Sequence, residues 1–462
     1  MFDPIHSKLA PFQQEHTLRF WDQLDAAGRR RLAAQIEAID LPLIQKLTSG
    51  KEEKTDWAAV ADRIEPAPAV RLSDPKAPFS QTEARAAGEQ ALSTGRIGAV
   101  LVAGGQGTRL GFPKPKGMFP LGPLSDRTLF EILIGKLKAQ SRLYEQAIPL
   151  YLMTSPATHD ETVAYFEEHD RLGLAEDDLR IFQQGVMPAV ADGKLLLAAK
   201  DELALSPDGH GGCLAALAQS GCLAHALERG IDTLFYFQVD NPLARVCEAE
   251  LIGYHLLAES EMTTQAVAKR EPHDKVGNLV TLDGKAQVIE YSELPDLLAE
   301  RRNADGSLRL WAGSIAIHVF DVPFLVRIAA DAEGLPFHRA NKKVPCLDDA
   351  GRWIEPEQPN ATKFERFIFD LMPFARNALC VEAPEGEVFS PVKNASGAEK
   401  DTKETAQAAM IAQHRRWLAA AGVKVAEGVK VEIDPAFAAD LEELKESVDP
   451  DTEITRDAYF TP

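Results

Sequence analysis

The sequence predicts an α/β protein, with a doubly wound, mixed but mostly parallel sheet, a helical N-terminal region and a small C-terminal domain. Three observations carry that expectation. From residue 95 onward, apolar runs of strand length alternate with stretches of helical periodicity, the pattern of a sheet covered by helices. Two of those runs, Ile97–Ala103 and Thr233–Val239, are almost wholly apolar, as buried parallel strands are, and they lead into Gly104-Gly105 and Asp240-Asn241. A chain of 462 residues also exceeds what one simple core organises, so smaller units should flank the sheet.

Taken in order, residues 1–94 read as a helical region with little chemistry. Glu15–Ala27, Arg29–Ala38 and Gln81–Ser93 space apolar residues at helical intervals, and Pro66, Pro68, Pro75 and Pro78 mark an extended connector. The sheet domain spans 95–393. Its strands are expected at Ile97–Ala103, Pro149–Ser155, Arg180–Gln183, Thr233–Val239, Thr263–Lys269, Asn278–Leu282, Ala286–Tyr291 and Trp311–Val319, with Asp283-Gly284 as a hairpin turn. Helices are expected at Leu129–Gln140, Thr158–His169, Gly212–Arg229, Glu248–Glu259, Val322–Ala330 and Lys363–Ala375. Residues 394–462 form the C-terminal domain: a helix over Thr402–Ala421, then short strands in the alternating run Val423–Ile433.

Bulk properties narrow the function classes. A formal net charge of −20 argues against a protein that coats nucleic acid, whose phosphates demand clustered cations. No stretch approaches the roughly 20 apolar residues of a membrane helix, and the N-terminus lacks the basic and apolar regions of a secretory signal. Five cysteines in apolar segments suit reduced thiols and a cytoplasmic location. His210-x-x-Cys213 and Cys222-x-x-His225 have suggestive zinc spacing, but a helix through that region spreads the four residues apart.

The chemistry concentrates at Val100–Gly111 and the Phe-Pro-Lys-Pro-Lys-Gly that follows. A buried strand runs into Gly104, Gly105 and Gly107, whose exposed amides suit an anion, with Arg109, Lys114 and Lys116 beside them. Two better-known glycine motifs fail on spacing. A dinucleotide fingerprint needs glycine where Leu110 stands, and no Walker A string occurs. A nucleotide phosphate site of another kind remains, against the plainer reading of a tight turn with incidental charge.

Gly-Gly-Gln-Gly-Thr-Arg-Leu-Gly followed by Pro-Lys-Gly resembles the signature of the UDP-sugar pyrophosphorylases, particularly the eukaryotic-type UDP-N-acetylglucosamine branch. Further strings resemble that family in order: Phe182-Gln-Gln-Gly185, Pro207-Asp-Gly-His-Gly-Gly212, Val239-Asp-Asn241, Val276-Gly277, Glu290-Tyr-Ser-Glu293, Lys363–Asp370 and Phe389–Asn394. The resemblance covers roughly residues 95 to 395. It implies a nucleotide-diphospho-sugar transferase sheet of GT-A, Rossmann-like type, and a reaction of UTP with a sugar 1-phosphate that yields a UDP-sugar and pyrophosphate.

In that reaction two anions meet, so positioning and fixed positive charge dominate catalysis. Lys116 is expected at the reacting phosphates, and Arg109 is expected to hold the two phosphates that leave together, a task suited to a guanidinium fork. Asp240, at the carboxyl end of its strand, is the expected Mg²⁺ ligand, since that ion takes one or two carboxylates beside substrate phosphates. By resemblance, Lys363 and Lys393 are further phosphate ligands, and Val102, Ala103, Gly104 and Gly105 line the nucleotide. Gln183 reads uracil by the same warrant, with Gln184 as the alternative, and Gly209 lets backbone approach the base. The sugar falls to His210, Gly277, Glu290 and Ser314, and Phe367 and Phe369 either wall an N-acetyl pocket or belong to the core.

Two departures bear on the sugar. The N-acetylglucosamine enzymes typically carry Asn at the positions of His210 and Ser314, and Gly-His-Gly resembles the UDP-glucose and broad-specificity members. N-acetylglucosamine 1-phosphate is the favoured substrate, with a UDP-glucose or UDP-galactose enzyme as the alternative and a nucleotide-sugar binding protein without turnover as the remote one. Oligomeric state has no signal in the sequence.

Overall fold

A computed structural model of the chain describes residues 1–50, 56–72, 74, 77–331 and 334–462. Pro75 of the expected connector lies outside them. Two compact units are present. The larger comprises residues 56–183, 216–332 and 369–462, and the smaller 1–55, 184–215 and 333–368.

The larger unit is built on an 11-stranded sheet. Its strands are β1 (Ile64–Pro66), β2 (Ala69–Val70), β3 (Ile97–Val102), β4 (Leu150–Thr154), β5 (Leu179–Gln183), β6 (Thr233–Gln238), β7 (Met262–Ala268), β8 (Gly277–Leu282), β9 (Lys285–Ile289), β10 (Ala312–Asp321) and β11 (Ala378–Glu382). The main order is β2-β11-β7-β10-β6-β3-β4-β5, and β8 joins β10 to the hairpin partner β9 and to β1. β3 pairs in parallel with β4 on one side and β6 on the other, so the chain reverses its direction of travel across the sheet beside β3. Such a switch point opens a crevice at the carboxyl ends of the strands, where α/β sheets bind ligands. β10 runs antiparallel to both β6 and β7, which makes the sheet mixed.

The expected strands all occur, within two residues at each end, because their apolar faces are covered. Ala99, Leu101, Phe235 and Phe237 enter one core with Leu133 and Leu137 of helix Leu129–Leu143, and none of the six exceeds 1% exposure. Thr128 caps that helix by accepting from the Glu131 amide while Glu131 returns the bond, a full capping box. Helices Gln81–Ser93 and Ala249–Leu257 approach so closely that a Cβ on Gly88 would lie 1.8 Å from the Ala249 carbonyl oxygen, and one on Gly253 1.6 Å from that of Ala84. Thr402 caps helix Lys403–Ala420, which packs with strands Lys424–Val425 and Val431–Ile433 around a separate small core.

The smaller unit has helices Phe2–Leu9, Ala26–Ala38 and Leu41–Ser49, and a four-stranded sheet that includes His338–Lys342 and Ala361–Glu365. Ile5, Leu9, Leu32, Ile36 and Phe364 form its core.

Three helical expectations are corrected. Glu15–Ala27 is broken into 3₁₀ turns at Glu15–Leu18 and Trp21–Gln23, because Asp25 caps a new helix by accepting from the Gly28 amide. Gly212–Arg229 divides into Gly212–Gln219 and Cys222–Glu228 at Gly221, whose φ of 77° is left-handed. Lys363–Ala375 is not a helix: Lys363 lies in strand Ala361–Glu365, opposite Ala340, and a 3₁₀ segment follows over Ile368–Phe374. All five cysteines are buried free thiols. No helix among the described residues is long and apolar enough to cross a membrane.

Candidate active site

Parallel pairing of β3 with β6 sets Val102 opposite Gln238, so the glycine bend and Asp240 leave the sheet at the same edge, side by side. The bend folds back on itself. Gly107 N–H donates to the Lys114 carbonyl at 2.9 Å, and Lys116 N–H donates to that of Gly105 at 3.0 Å, a narrow loop that returns Lys116 to the strand end. Gly107 is needed for this turn alone, since a Cβ there would sit 2.7 Å from the Phe112 carbonyl oxygen. Gly105 differs. A Cβ there would meet nothing closer than the Lys116 side chain at 3.9 Å, and the residue is exposed, so its openness serves space outside the chain.

The fold-back brings Lys116 Nζ to 3.4 Å from Asp240 Oδ2, with each side chain about one-sixth exposed at 14% and 16%. That separation is a loose ion pair rather than a tight hydrogen bond. Both groups keep capacity toward the solvent side, the lysine to meet an anion and the carboxylate to meet a cation. Arg109 and Lys114 stand exposed on the outer turn.

A third segment reaches the same edge from far along the chain. Val392 N–H donates to the Asp240 carbonyl at 2.8 Å, which sets exposed Lys393 one residue away. Asn241, 3% exposed, donates from its side-chain amide to the Val388 carbonyl at 2.7 Å and accepts from Ser390 N–H at 3.1 Å. In the turn after Asp240, the carbonyls of Pro242 and Ala244 accept from Lys136 Nζ at 2.6 Å and 3.1 Å. Neither Asn241 nor Lys136 emerged from sequence reasoning as a site residue. The Asp-Asn string held the only signal for the first, and an isolated lysine in an apolar helix held none for the second.

Gln183 ends β5, paired with Thr154, and is exposed. Gln184 is 7% exposed and turned within the smaller unit, where Nε2 donates to Asp208 Oδ1 at 3.3 Å and the Gly209 carbonyl at 3.4 Å. Of the two candidate readers of a base, only Gln183 has a side chain open to solvent.

Gly277, Glu290 and Ser314 come together. Gly277 pairs with Ser314 across β8 and β10, and a Cβ on Gly277 would lie 3.5 Å from Glu290 Oε1 and 3.8 Å from Ser314 Cβ. Beside Ser314 the β7–β10 register shifts and Ala316 takes a φ of 56°, a bulge of the kind that re-aims side chains near active sites. Toward this edge the β6–β10 pairing ends at Tyr236 opposite His318, two residues before the bulge at Ala316.

In the smaller unit, Gly209 has a φ of 84° and a Cβ would clash at 2.4 Å with the Arg366 carbonyl oxygen, so the turn demands glycine. His210 Nδ1 accepts from the Ile368 amide at 3.2 Å, and its ring lies 5.4 Å from that of Phe367. Lys363 is half-buried on its strand, and Phe367 follows in irregular chain rather than in the expected helix. Phe369, in the larger unit, is 7% exposed.

A cavity in the larger unit lies elsewhere. It encloses about 420 Å³ between Arg85, Lys136, Arg245, Glu387, His414 and Trp417. Its walls carry none of the expected site residues. The switch-point crevice, with its convergent charges, is the stronger candidate on chemical grounds.

Comparison with known proteins agrees with this geometry. Residues 43–438 match the model of the family described as UTP–glucose-1-phosphate uridylyltransferase. The chain is 38% identical to the UDP-N-acetylglucosamine pyrophosphorylase of Saccharomyces cerevisiae over 75% of this chain and 74% of that one. It is 34% identical to the UDP-N-acetylhexosamine pyrophosphorylase-like protein 1 of Mus musculus over 91% and 86%. Among solved structures, the uridine diphosphate N-acetylglucosamine pyrophosphorylase of Trypanosoma brucei superposes with a TM-score of 0.81 at 25% identity, covering 98% of each chain. A match over most of the length, together with the switch-point bend and its paired lysine and aspartate, places the chain in the UTP–glucose-1-phosphate uridylyltransferase family.

Proposed function

We propose that this protein is a UTP:sugar-1-phosphate uridylyltransferase that makes UDP-N-acetylglucosamine and pyrophosphate from UTP and N-acetylglucosamine 1-phosphate. The observation that carries the reading is the apposition of Lys116 and Asp240 at the switch point, beside a glycine bend with room for a phosphate. The three relatives named above support the sugar, since each bears N-acetylhexosamine or N-acetylglucosamine in its name, although the family model is described by glucose 1-phosphate.

The chemistry is an in-line displacement. A phosphate oxygen of the sugar 1-phosphate attacks the α-phosphorus of UTP, and the bond to the β-phosphate oxygen breaks as pyrophosphate departs. Lys116 neutralises charge at the reacting phosphates, where the approach of two anions would otherwise raise the barrier. Arg109 receives the departing pyrophosphate, and Lys393 adds charge from the segment tied to the Asp240 carbonyl. Lys363 is assigned to phosphate as well. Val102, Ala103, Gly104 and Gly105 line the nucleotide, Gln183 reads uracil and Gly209 meets the base. Gly277, Glu290 and Ser314 receive the sugar, because a carboxylate accepts from two neighbouring hydroxyls. His210 and Phe367 are assigned to the sugar as well.

Asp240 fits a divalent cation, Mg²⁺ in this proposal. Among the described residues, its half-buried carboxylate has one side-chain partner, the loosely paired Lys116, and no cluster of three acidic, His or Cys ligands is present. That donor set suits an ion held by one protein oxygen, phosphate oxygens and water. When bound, the ion screens charge on the triphosphate. Free thiols throughout fit a reducing compartment, the cytoplasm.

Purified protein given UTP, Mg²⁺ and N-acetylglucosamine 1-phosphate should release pyrophosphate. Lys116→Ala should lose about 100-fold or more in kcat while its thermal unfolding midpoint stays near that of the wild type. Turnover unchanged in that variant would remove Lys116 from the mechanism.

A further inference from the structure

The geometry points to Asn241 as a positioning residue for the transfer reaction, holding the segment that carries Lys393 against the strand end that carries Asp240. The inference rests on the reading that Asp240 and Lys393 serve the reacting phosphates.

Three hydrogen bonds make the joint. The Asn241 side-chain amide donates to the Val388 carbonyl at 2.7 Å, its oxygen accepts from Ser390 N–H at 3.1 Å, and the Asp240 carbonyl accepts from Val392 N–H at 2.8 Å. Beyond the joint, Lys393 N–H donates to the Asp401 carbonyl at 2.7 Å, so the lysine's backbone is fixed on both sides while its side chain remains exposed. Segments nearly 150 residues apart in sequence thus meet through one buried side chain.

Only an amide of this length does the task. Asn offers a donor and an acceptor on one short terminus, and both are used on the same strap. An ionised Asp presents two acceptors and leaves the Val388 carbonyl without its donor. A side chain cut back to Ala leaves both backbone groups unpaired in a site that is 3% exposed. The strap would shift toward other partners, and Lys393 with it. Displacement by about 1 Å of a group that acts by position costs up to about 100-fold in rate.

The test is a double-mutant cycle on the full chain, with kcat, KM and thermal midpoint measured for Asn241→Ala, Lys393→Ala and the pair. We expect Asn241→Ala to lower kcat by about 30-fold or more with KM for UTP within about threefold, and the double variant to lose less than about threefold beyond Lys393→Ala alone. Multiplicative losses in the double variant, or wild-type kcat in Asn241→Ala, would overturn the assignment. Asn241→Asp supplies a second arm should the alanine variant not fold, because it keeps the acceptor for Ser390 N–H and removes the donor to the Val388 carbonyl. At pH 8 its kcat should fall by about 10-fold or more, with less than about threefold further loss when it is combined with Lys393→Ala. Wild-type kcat in that variant, or multiplicative losses in the pair, counts against positioning. Turnover of the wild type with UTP and N-acetylglucosamine 1-phosphate tests the underlying reading separately, because wild-type activity with no Asn241–Lys393 coupling sinks only the inference.

Discussion

Lys136 shows how one side chain ties stability to the site. It is a lysine buried in helix Leu129–Leu143 with its ammonium on two main-chain carbonyls of the turn after Asp240. Those carbonyls favour the charged form and burial disfavours it. Burial is the larger effect, reinforced by the Arg245 guanidinium, and it brings the pKa down to about 7 from 10.5. Between those values the unfolded chain binds a proton that the folded chain does not, so this group's contribution to stability rises with pH across the window. Below pH 7 its burial penalty is present in full. Compared with Lys136→Met, the wild type should therefore gain about 2 kcal/mol as urea unfolding is moved from pH 7 to pH 9. A difference between the two proteins that stays level would mean the ammonium titrates as a solvated lysine does. At this scale the sequence revealed groups that share a string with the family signature, Arg109, Lys116 and Asp240 among them. It hid residues such as Lys136 and Asn241, whose roles exist only once distant carbonyls are brought to them.

Elements were readable where local periodicity and packing agree. Helix Gln81–Ser93 has the limits that its apolar spacing predicts, and the structure adds a capping box of Ser80 and Glu83 that fixes its start. Segment Lys363–Ala375 misled because its apolar spacing is helical, yet residues 361–365 hydrogen-bond to 338–342 and become a strand. Tertiary pairing outweighs so weak a propensity. Close helix contact is equally invisible locally. Nothing near Gly253 in the sequence demands glycine, but the Ala84 carbonyl of the facing helix occupies the space where a Cβ would stand. Gly253→Ala must push helices Gln81–Ser93 and Ala249–Leu257 apart, so we expect a loss of about 2–4 kcal/mol, above the 1–3 of ordinary overpacking because the obstacle is backbone. Exposed Gly284, whose added Cβ meets nothing, provides the contrast for contact alone. Chemical denaturation of Gly253→Ala decides it, and a loss below about 0.5 kcal/mol would show that the helices yield freely.

Across the whole molecule, the choice of sugar is the property that the fold leaves to a few side chains. The smaller unit draws on residues 1–55, 184–215 and 333–368, and a unit assembled from three separated segments has no local signature in sequence. His210 belongs to it and Ser314 to the larger unit, and the family resemblance of the surrounding strings implies Asn in their place in N-acetylglucosamine enzymes. An amide both donates and accepts, whereas His210 spends Nδ1 on the Ile368 amide and turns its ring toward Phe367. Ser314 has a shorter reach than Asn, beside a glycine whose missing side chain leaves room for Val288 Cγ1, 2.6 Å from where a Cβ would stand. Glucose, galactose, N-acetylglucosamine and N-acetylgalactosamine 1-phosphates should be offered together in one assay, so that products report ratios of kcat/KM. We expect N-acetylglucosamine to win in the wild type. In His210→Asn/Ser314→Asn that preference over glucose should rise by about tenfold, the value of one well-placed hydrogen bond of about 1.4 kcal/mol. If glucose 1-phosphate wins in the wild type, the sugar inferred from the relatives is wrong for this chain. If the ratio does not move in the double variant, the preference is set by other groups, and Glu290 beside Gly277 becomes the place to look.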